Sequence, residues 1–135
     1  VDVKNMVWVG INGTTGLEAY NYVIGNGGTI ITTEDIKREG VPAVIQRAAE
    51  IAGKDCDTIY VTIDIDVVDQ AYACGTGSFI TACELLQIAS ELSKYNVGGI
   101  DVVEVAPNLD LTQNTSRLAA TTLINFLKPK IFEFV

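Results

Sequence analysis

The 135-residue sequence contains no histidine. From its own side chains it therefore offers no imidazole general base, no Ser–His or Cys–His nucleophile pair and no imidazole metal ligand. No apolar run approaches the roughly 20 residues needed to cross a bilayer, and no basic region followed by an apolar one opens the chain. We therefore expect no membrane partner. Cysteine is sparse: Cys56, Cys74 and Cys83 form no Cys-x-x-Cys pair and are odd in number. A disulfide framework is not expected, and a reducing, cytoplasmic setting is. Basic residues are also few, nine Lys and Arg against 17 Asp and Glu, for a formal charge of −8. Such a surface repels a phosphate backbone, which excludes nucleic acid as a partner and leaves cationic ligands and metal ions.

What is present describes a folded domain. Hydrophobic residues make up 48% and charged residues 19%, which excludes intrinsic disorder. The length suits one domain, or half of a larger one, and can bury about two-thirds of the surface the unfolded chain exposes. There is no internal repeat, linker or low-complexity tract, so residues 1–135 form a single segment. The first residue is Val rather than Met, and a strand begins almost at once, so we expect the native polypeptide to be longer.

Residues 6–11 (MVWVGI) read as a buried strand, broken at Gly13 and Gly16 before a helix over Leu17–Ile24. After Gly25, Gly27 and Gly28, the β-branched run 29–33 (TIITT) predicts a second strand. A helix follows, with Glu34 and Asp35 in its first turn and Val41, Val44, Ile45, Ala48, Ala49 and Ala52 at helical spacing. Pro42 fits that stretch only if a helix starts beside it. Residues 58–66 (TIYVTIDID) predict the clearest strand, and Thr81-x-x-Glu84 has the form of a capping box. A strand over 97–105 (VGGIDVVEV) and a helix over Thr115–Leu127, stopped by Pro129, complete the pattern. Strands alternating with helices imply an α/β fold, a three-layer α/β/α arrangement around a mainly parallel sheet.

Ligands in such folds bind beyond the carboxyl ends of the strands, and two strands carry acids there. Period-two alternation places Thr62, Asp64 and Asp66 on one face of the strand ending at Asp66. Two carboxylates about 5 Å apart repel by roughly 3 kcal/mol at an effective dielectric near 20. Either one acid is protonated or a cation is bound, and hard oxygen ligands suit Mg²⁺ or Mn²⁺. A blander arrangement has Asp66 and Asp69 capping the following loop. Asp101 and Glu104 interrupt the other strand and, three apart, face opposite sides if it is regular. Glu104, nearer the carboxyl end, is the better holder of a cationic group, and Asp101 is expected to be a satisfied structural acid.

These residues resemble a known signature. Thr62-Ile63-Asp64-Ile65-Asp66-Val67-Val68-Asp69-Gln70, continuing to Cys74-Gly75-Thr76-Gly77, is similar to the ureohydrolase pattern Ser/Thr-x-Asp-x-Asp-x-x-Asp-(Pro/Ala/Gln)-x-x-x-Pro-Gly-Thr-Gly. Asp101-Val102-Val103-Glu104-Val105-Ala106-Pro107 resembles that family's later Asp-x-x-Glu segment, and Leu118-Ala119-Ala120 its final helix. The resemblance is to the C-terminal half of the family, which includes arginase, agmatinase, guanidinobutyrase and formimidoylglutamase. It implies a binuclear Mn²⁺ hydrolase that cleaves a guanidino substrate, agmatine-like by our reading, to urea and an amine. Agmatine cleavage would place it in polyamine biosynthesis. By the same resemblance Asp64 bridges both metals, Asp66 chelates one, and Glu104 binds the substrate guanidinium and aims it. Thr62 and Asp69 would support the ligands, and a trimer or hexamer is expected.

The departures are equally specific. Cys74 stands where the pattern has Pro, and only Ser78, Phe79 and Ile80 separate Gly77 from Thr81. The family's remaining four metal ligands, on a His…Asp-x-His-x-Asp arrangement, and its proton-shuttling His belong to an N-terminal half that is not in this chain. The chain alone is thus expected to be inactive. A degenerate, non-catalytic binding or assembly module is one alternative. Another is a DxD magnesium-dependent phosphatase, although the downstream Ser/Thr strand end, Lys and second acidic pair it needs are not evident. Gly13 and Gly16 suit a turn better than a nucleotide loop, since neither phosphate-binding glycine pattern is present.

Overall fold

The computed structural model describes residues 1–12, 16–74 and 77–132. Gly13, and Gly75 and Thr76 of the Gly-Thr-Gly run, lie outside the described residues. Among the described residues four strands and five α-helices follow in the order β1 (Val7–Ile11), α1 (Leu17–Gly25), β2 (Thr29–Thr32), α2 (Thr33–Glu39), α3 (Val41–Ala52), β3 (Ile59–Asp64), α4 (Ala82–Leu92), β4 (Val97–Val103) and α5 (Asn114–Phe132). β1 pairs with β2 and β3 with β4, both in parallel, as crossover helices require. Among the described residues no helix is long and apolar enough to cross a membrane.

Several boundaries move from the sequence expectation for identifiable reasons. The second strand stops at Thr32 because that residue caps α2: its hydroxyl accepts the Asp35 amide, and Asp35 reaches back to the Thr32 amide. The single helix expected after it is two. Gly40, at φ 82°, ends α2, and α3 starts at Val41 with Pro42 in its first turn, where a missing N–H costs nothing. The Thr81–Glu84 capping box forms as its spacing predicts. Pro129 does not stop α5, which runs on to Phe132. A proline removes one amide bond, here to the carbonyl of Asn125, and that loss is tolerated one turn from the helix end.

The core is one cluster in which α3 and α4 supply Val44, Ile45, Ala48, Leu85, Ile88 and Ala89. The inward side of β3–β4 reaches it through Val61, Ile63, Ile100 and Val102, and α5 through Ala119 and Phe126. The carboxyl end of β1 meets the segment after β3. Gly10, at φ 84°, is buried there, and a Cβ on it would stand 2.7 Å from both Ile80 Cδ1 and Val67 Cγ2. Only glycine satisfies that backbone and that contact together. Gly10→Ala should therefore destabilise the protein by about 1–3 kcal/mol, combining strain with the clash. Urea unfolding should show a lower midpoint at an unchanged slope, and an unchanged midpoint would mean that this contact does not join the two strand pairs.

Candidate active site

Parallel pairing brings the carboxyl ends of β3 and β4 to one edge. The register aligns Tyr60 with Gly99, Thr62 with Asp101 and Asp64 with Val103, so these six residues share one face of the strand pair. Along β3 that face is exposed, while Ile63 between its residues is buried. The strand ends at Asp64, two residues earlier than its sequence suggests. Ile65–Val67 winds into a 3₁₀ turn, and Asp64 caps it, its Oδ1 accepting the Asp66 amide at 3.1 Å. Asp66 therefore sits on the turn and does not continue the strand face with Thr62 and Asp64. The spacing is misleading because the capping hydrogen bond competes with continued strand pairing.

The expected repulsion is present. The Asp64 carboxyl is pushed up to about 6, first by partial desolvation, although its own bond from the Asp66 amide pulls the other way. The Asp66 side chain raises it next, through a hydrogen bond and its charge, and then the Glu104 charge does. Both charges acting on Asp64 are thus negative. In the absence of a cation the site keeps a proton on Asp64 well above the ordinary carboxylate range.

Glu104 reaches this cluster by a route that strand alternation does not foresee. β4 ends at Val103, and Glu104 adopts φ 61°, the left-handed region, which a glutamate seldom occupies. The left-handed residue breaks the period-two pattern. Asp101 faces the Thr62 side of the sheet, and Glu104, past the strand end, still bears on Asp64. Of the two acids, Glu104 is the one that acts on Asp64. Asp101 is not the satisfied structural acid expected of it. Tyr60 donates its phenol O–H to Asp101 Oδ2, but Oδ1 is buried without a hydrogen bond of normal geometry. Asp69 behaves as a loop cap, its Oδ1 accepting the Ala71 amide at 2.8 Å.

Two residues that the sequence reading passed over tie the loops after β3 and β4 together. Asp110 is buried and accepts the Thr115 and Ser116 amides at 3.0 and 2.9 Å and the Ser116 hydroxyl at 2.7 Å, capping α5. Thr115, also buried, in turn accepts the Cys74 amide on its Oγ1 at 3.1 Å. No local signal announces Asp110, because a capping acid is expected two or three residues ahead of the amide it accepts and this one reaches five and six. Burial raises the Asp110 carboxyl, but the bonds from Ser116 and Thr115 outweigh it and leave it below its ordinary value.

As donors, Asp64 and Asp66 offer hard carboxylate oxygens of the kind that Mg²⁺ and Mn²⁺ prefer. The fit is one of chemistry and not of number. Among the described residues no group of three or more His, Cys, Asp or Glu is gathered as a metal cage. A cation held by these two acids would need further donors.

The arginase family model matches residues 1–128. The chain belongs to the arginase family. It is 37% identical over 133 residues to the mitochondrial guanidino acid hydrolase of Homo sapiens, a match covering 94% of this chain and 37% of that protein. Proteins named formimidoylglutamase and agmatinase are similar as well. The solved formimidoylglutamase of Bacillus subtilis superposes with a TM-score of 0.89 at 28% identity, covering 97% of this chain and 43% of that one. A Trypanosoma cruzi formiminoglutamase solved with Mn²⁺ shares the fold, with a TM-score of 0.84 at 18% identity over 93% of this chain and 44% of its own. These likenesses bear out the expected family and the α/β/α architecture. The chain spans less than half the length of the relatives it matches.

The charge cluster has a measurable consequence in metal-free protein. Because the Asp64 carboxyl is pushed up to about 6 in the folded protein, above the ordinary carboxylate range, ionising it opposes folding. The stability it allows is complete below the unfolded value and is lost as pH rises through the folded one. Asp64→Asn, measured in chelator, should therefore be more stable than the parent at about pH 7.5 and no more stable at about pH 3.5. A variant less stable at both pH values would contradict the reading of Asp64 as a strained acid.

Proposed function

We propose that the chain forms part of a binuclear manganese hydrolase that cleaves a guanidino substrate to urea and an amine, agmatine being the substrate we favour. The observation that carries this reading is the placing of Asp64, Asp66 and Glu104 at the carboxyl ends of β3 and β4, where partial burial first, and then Asp66 and the Glu104 charge, raise the Asp64 carboxyl. Such an arrangement costs stability unless a cation relieves it. Family membership supports hydrolysis at a guanidino or related carbon, and the manganese named for the T. cruzi neighbour supports the choice of metal.

In this reading Asp64 and Asp66 hold the ions, and Thr62 and Asp69 steady the elements that carry them. What the ions supply when bound is positive charge and the acidification of water. Glu104 is exposed beyond the strand end, where its carboxylate can take a guanidinium by a bidentate pair and fix the orientation of its carbon. The formal charge of −8 favours the approach of a cationic substrate. The imidazole groups the reaction needs would come from polypeptide beyond these 135 residues. Trimeric or hexameric assembly and a cytoplasmic location belong to the same proposal. In support of assembly, α1 buries none of its residues and exposes Leu17, Tyr20, Tyr22 and Ile24.

A second reading, a non-catalytic module that keeps only the fold, is favoured by the lack of histidine and of a gathered metal cage among the described residues. Manganese binding separates the two. The hydrolase reading predicts urea release by the native polypeptide from one member of a set containing agmatine, arginine and guanidino acids, dependent on Mn²⁺. Glu104→Gln should raise KM and lower kcat/KM by about 100-fold, the cost of a lost charge-assisted pair, with manganese content unchanged. Full activity in that variant, or no manganese in the parent, would sink the assignment.

A further inference from the structure

Below Asp64 on the same sheet face lies an array that the proposed chemistry leaves unused. The Tyr60 ring lies across Gly99, where a Cβ would come within 2.9 Å of ring atoms Cδ2 and Cε2. The missing side chain is what seats the ring and lets the phenol donate to Asp101 Oδ2 on the neighbouring strand. Thr62 is the direct cross-strand partner of Asp101. With the Tyr60 phenol first and the Thr62 hydroxyl second, the carboxylate is held below its ordinary value, and the Tyr60 phenol is pushed up in return.

This is an expensive way to fill a strand position. A β-branched residue would suit Asp101's place in β4 better, and a buried oxygen without a proper donor costs free energy. Buried acceptors left in that state call for an explanation, and fold stability does not provide one. The place of the array does. It runs along the face whose last β3 residue is Asp64, and its central hydroxyl, on Thr62, stands two residues from that acid.

Resting on the manganese reading above, we propose that Asp101 is a positioning residue for the metal site: by gripping Tyr60 and bearing on Thr62, it fixes the end of β3 that presents Asp64. Supports of this kind matter because a ligand that must be ordered on binding costs affinity. The role belongs to Asp101 with Tyr60 and Gly99 as its accessories, and none of the three touches the metal or the substrate.

The test is Mn²⁺ titration of the purified protein by the paramagnetic resonance of the free ion, for the parent, Asp101→Asn, Gly99→Ala and Tyr60→Phe. Phenolate absorbance in each, with Tyr60→Phe as the blank, reports the array. Asp101→Asn and Gly99→Ala should bring the Tyr60 titration back toward an ordinary phenol and weaken Mn²⁺ binding about tenfold or more, the usual effect of removing a ligand's support. Thermal midpoints should stay close to the parent. Gly99→Ala leaves every polar group in place, so it carries the test if Asp101→Asn fails to fold. A released Tyr60 with unchanged Mn²⁺ affinity overturns the positioning role and leaves the metal reading standing. A parent that binds no Mn²⁺ overturns both.

Discussion

Asp64, Asp66 and Glu104 are held at one sheet edge, and the charges that act on Asp64 are both negative. A fold optimised for stability alone would disperse or neutralise them, since each unit by which a carboxyl is raised is differential free energy between its two protonation states. Here the surrounding structure keeps them together. β3 and β4 are locked in parallel register, the 3₁₀ turn brings Asp66 under Asp64, and a left-handed backbone keeps Glu104 within range. Each device costs something locally, and all three bear on Asp64. Strain that clusters in this way is the usual mark of a binding site.

The scaffolding around that edge is ordinary by comparison. Helices α3 and α4 fill the core with aliphatic side chains, and two capping boxes start α2 and α4 where their sequences specify. Asp110 and Thr115 tie the loop after β3 to the start of α5, so both loops at the site are anchored to the same helix. Gly10 performs the related task of letting β1 close on the segment after β3. The site is therefore borne by rigid elements and not by its loops alone, which is what fixed ligand geometry demands.

Much of this is legible in the residues. The order of strands and helices follows from hydrophobic periodicity, and the closely spaced acids Asp64 and Asp66 stand out as a costly charge pair without any fold in view. What periodicity could not supply were the places where a side chain or a backbone angle overrides it. Asp64 ends its strand by capping a turn, so Asp66 leaves the strand face that alternation assigns to it. Glu104 takes a φ of 61°, and no rule of alternation survives a left-handed residue. Gly40 divides one apparent helix into two, and Pro129 fails to end another because only one amide is lost. The Tyr60–Asp101 pair was hidden for a different reason, because it depends on which residue of β4 stands opposite Thr62 and on Gly99 leaving room for a ring.

The central claim is that the acids at the ends of β3 and β4 are kept for a metal ion. It is tested most directly by calorimetric titration of Mn²⁺ into the protein at about pH 6, in buffers of different ionisation enthalpy. If Asp64 holds its proton there until a cation arrives, binding releases a fraction of a proton, and the release vanishes in Asp64→Asn. Binding with no proton release, or no binding at all, would contradict the account.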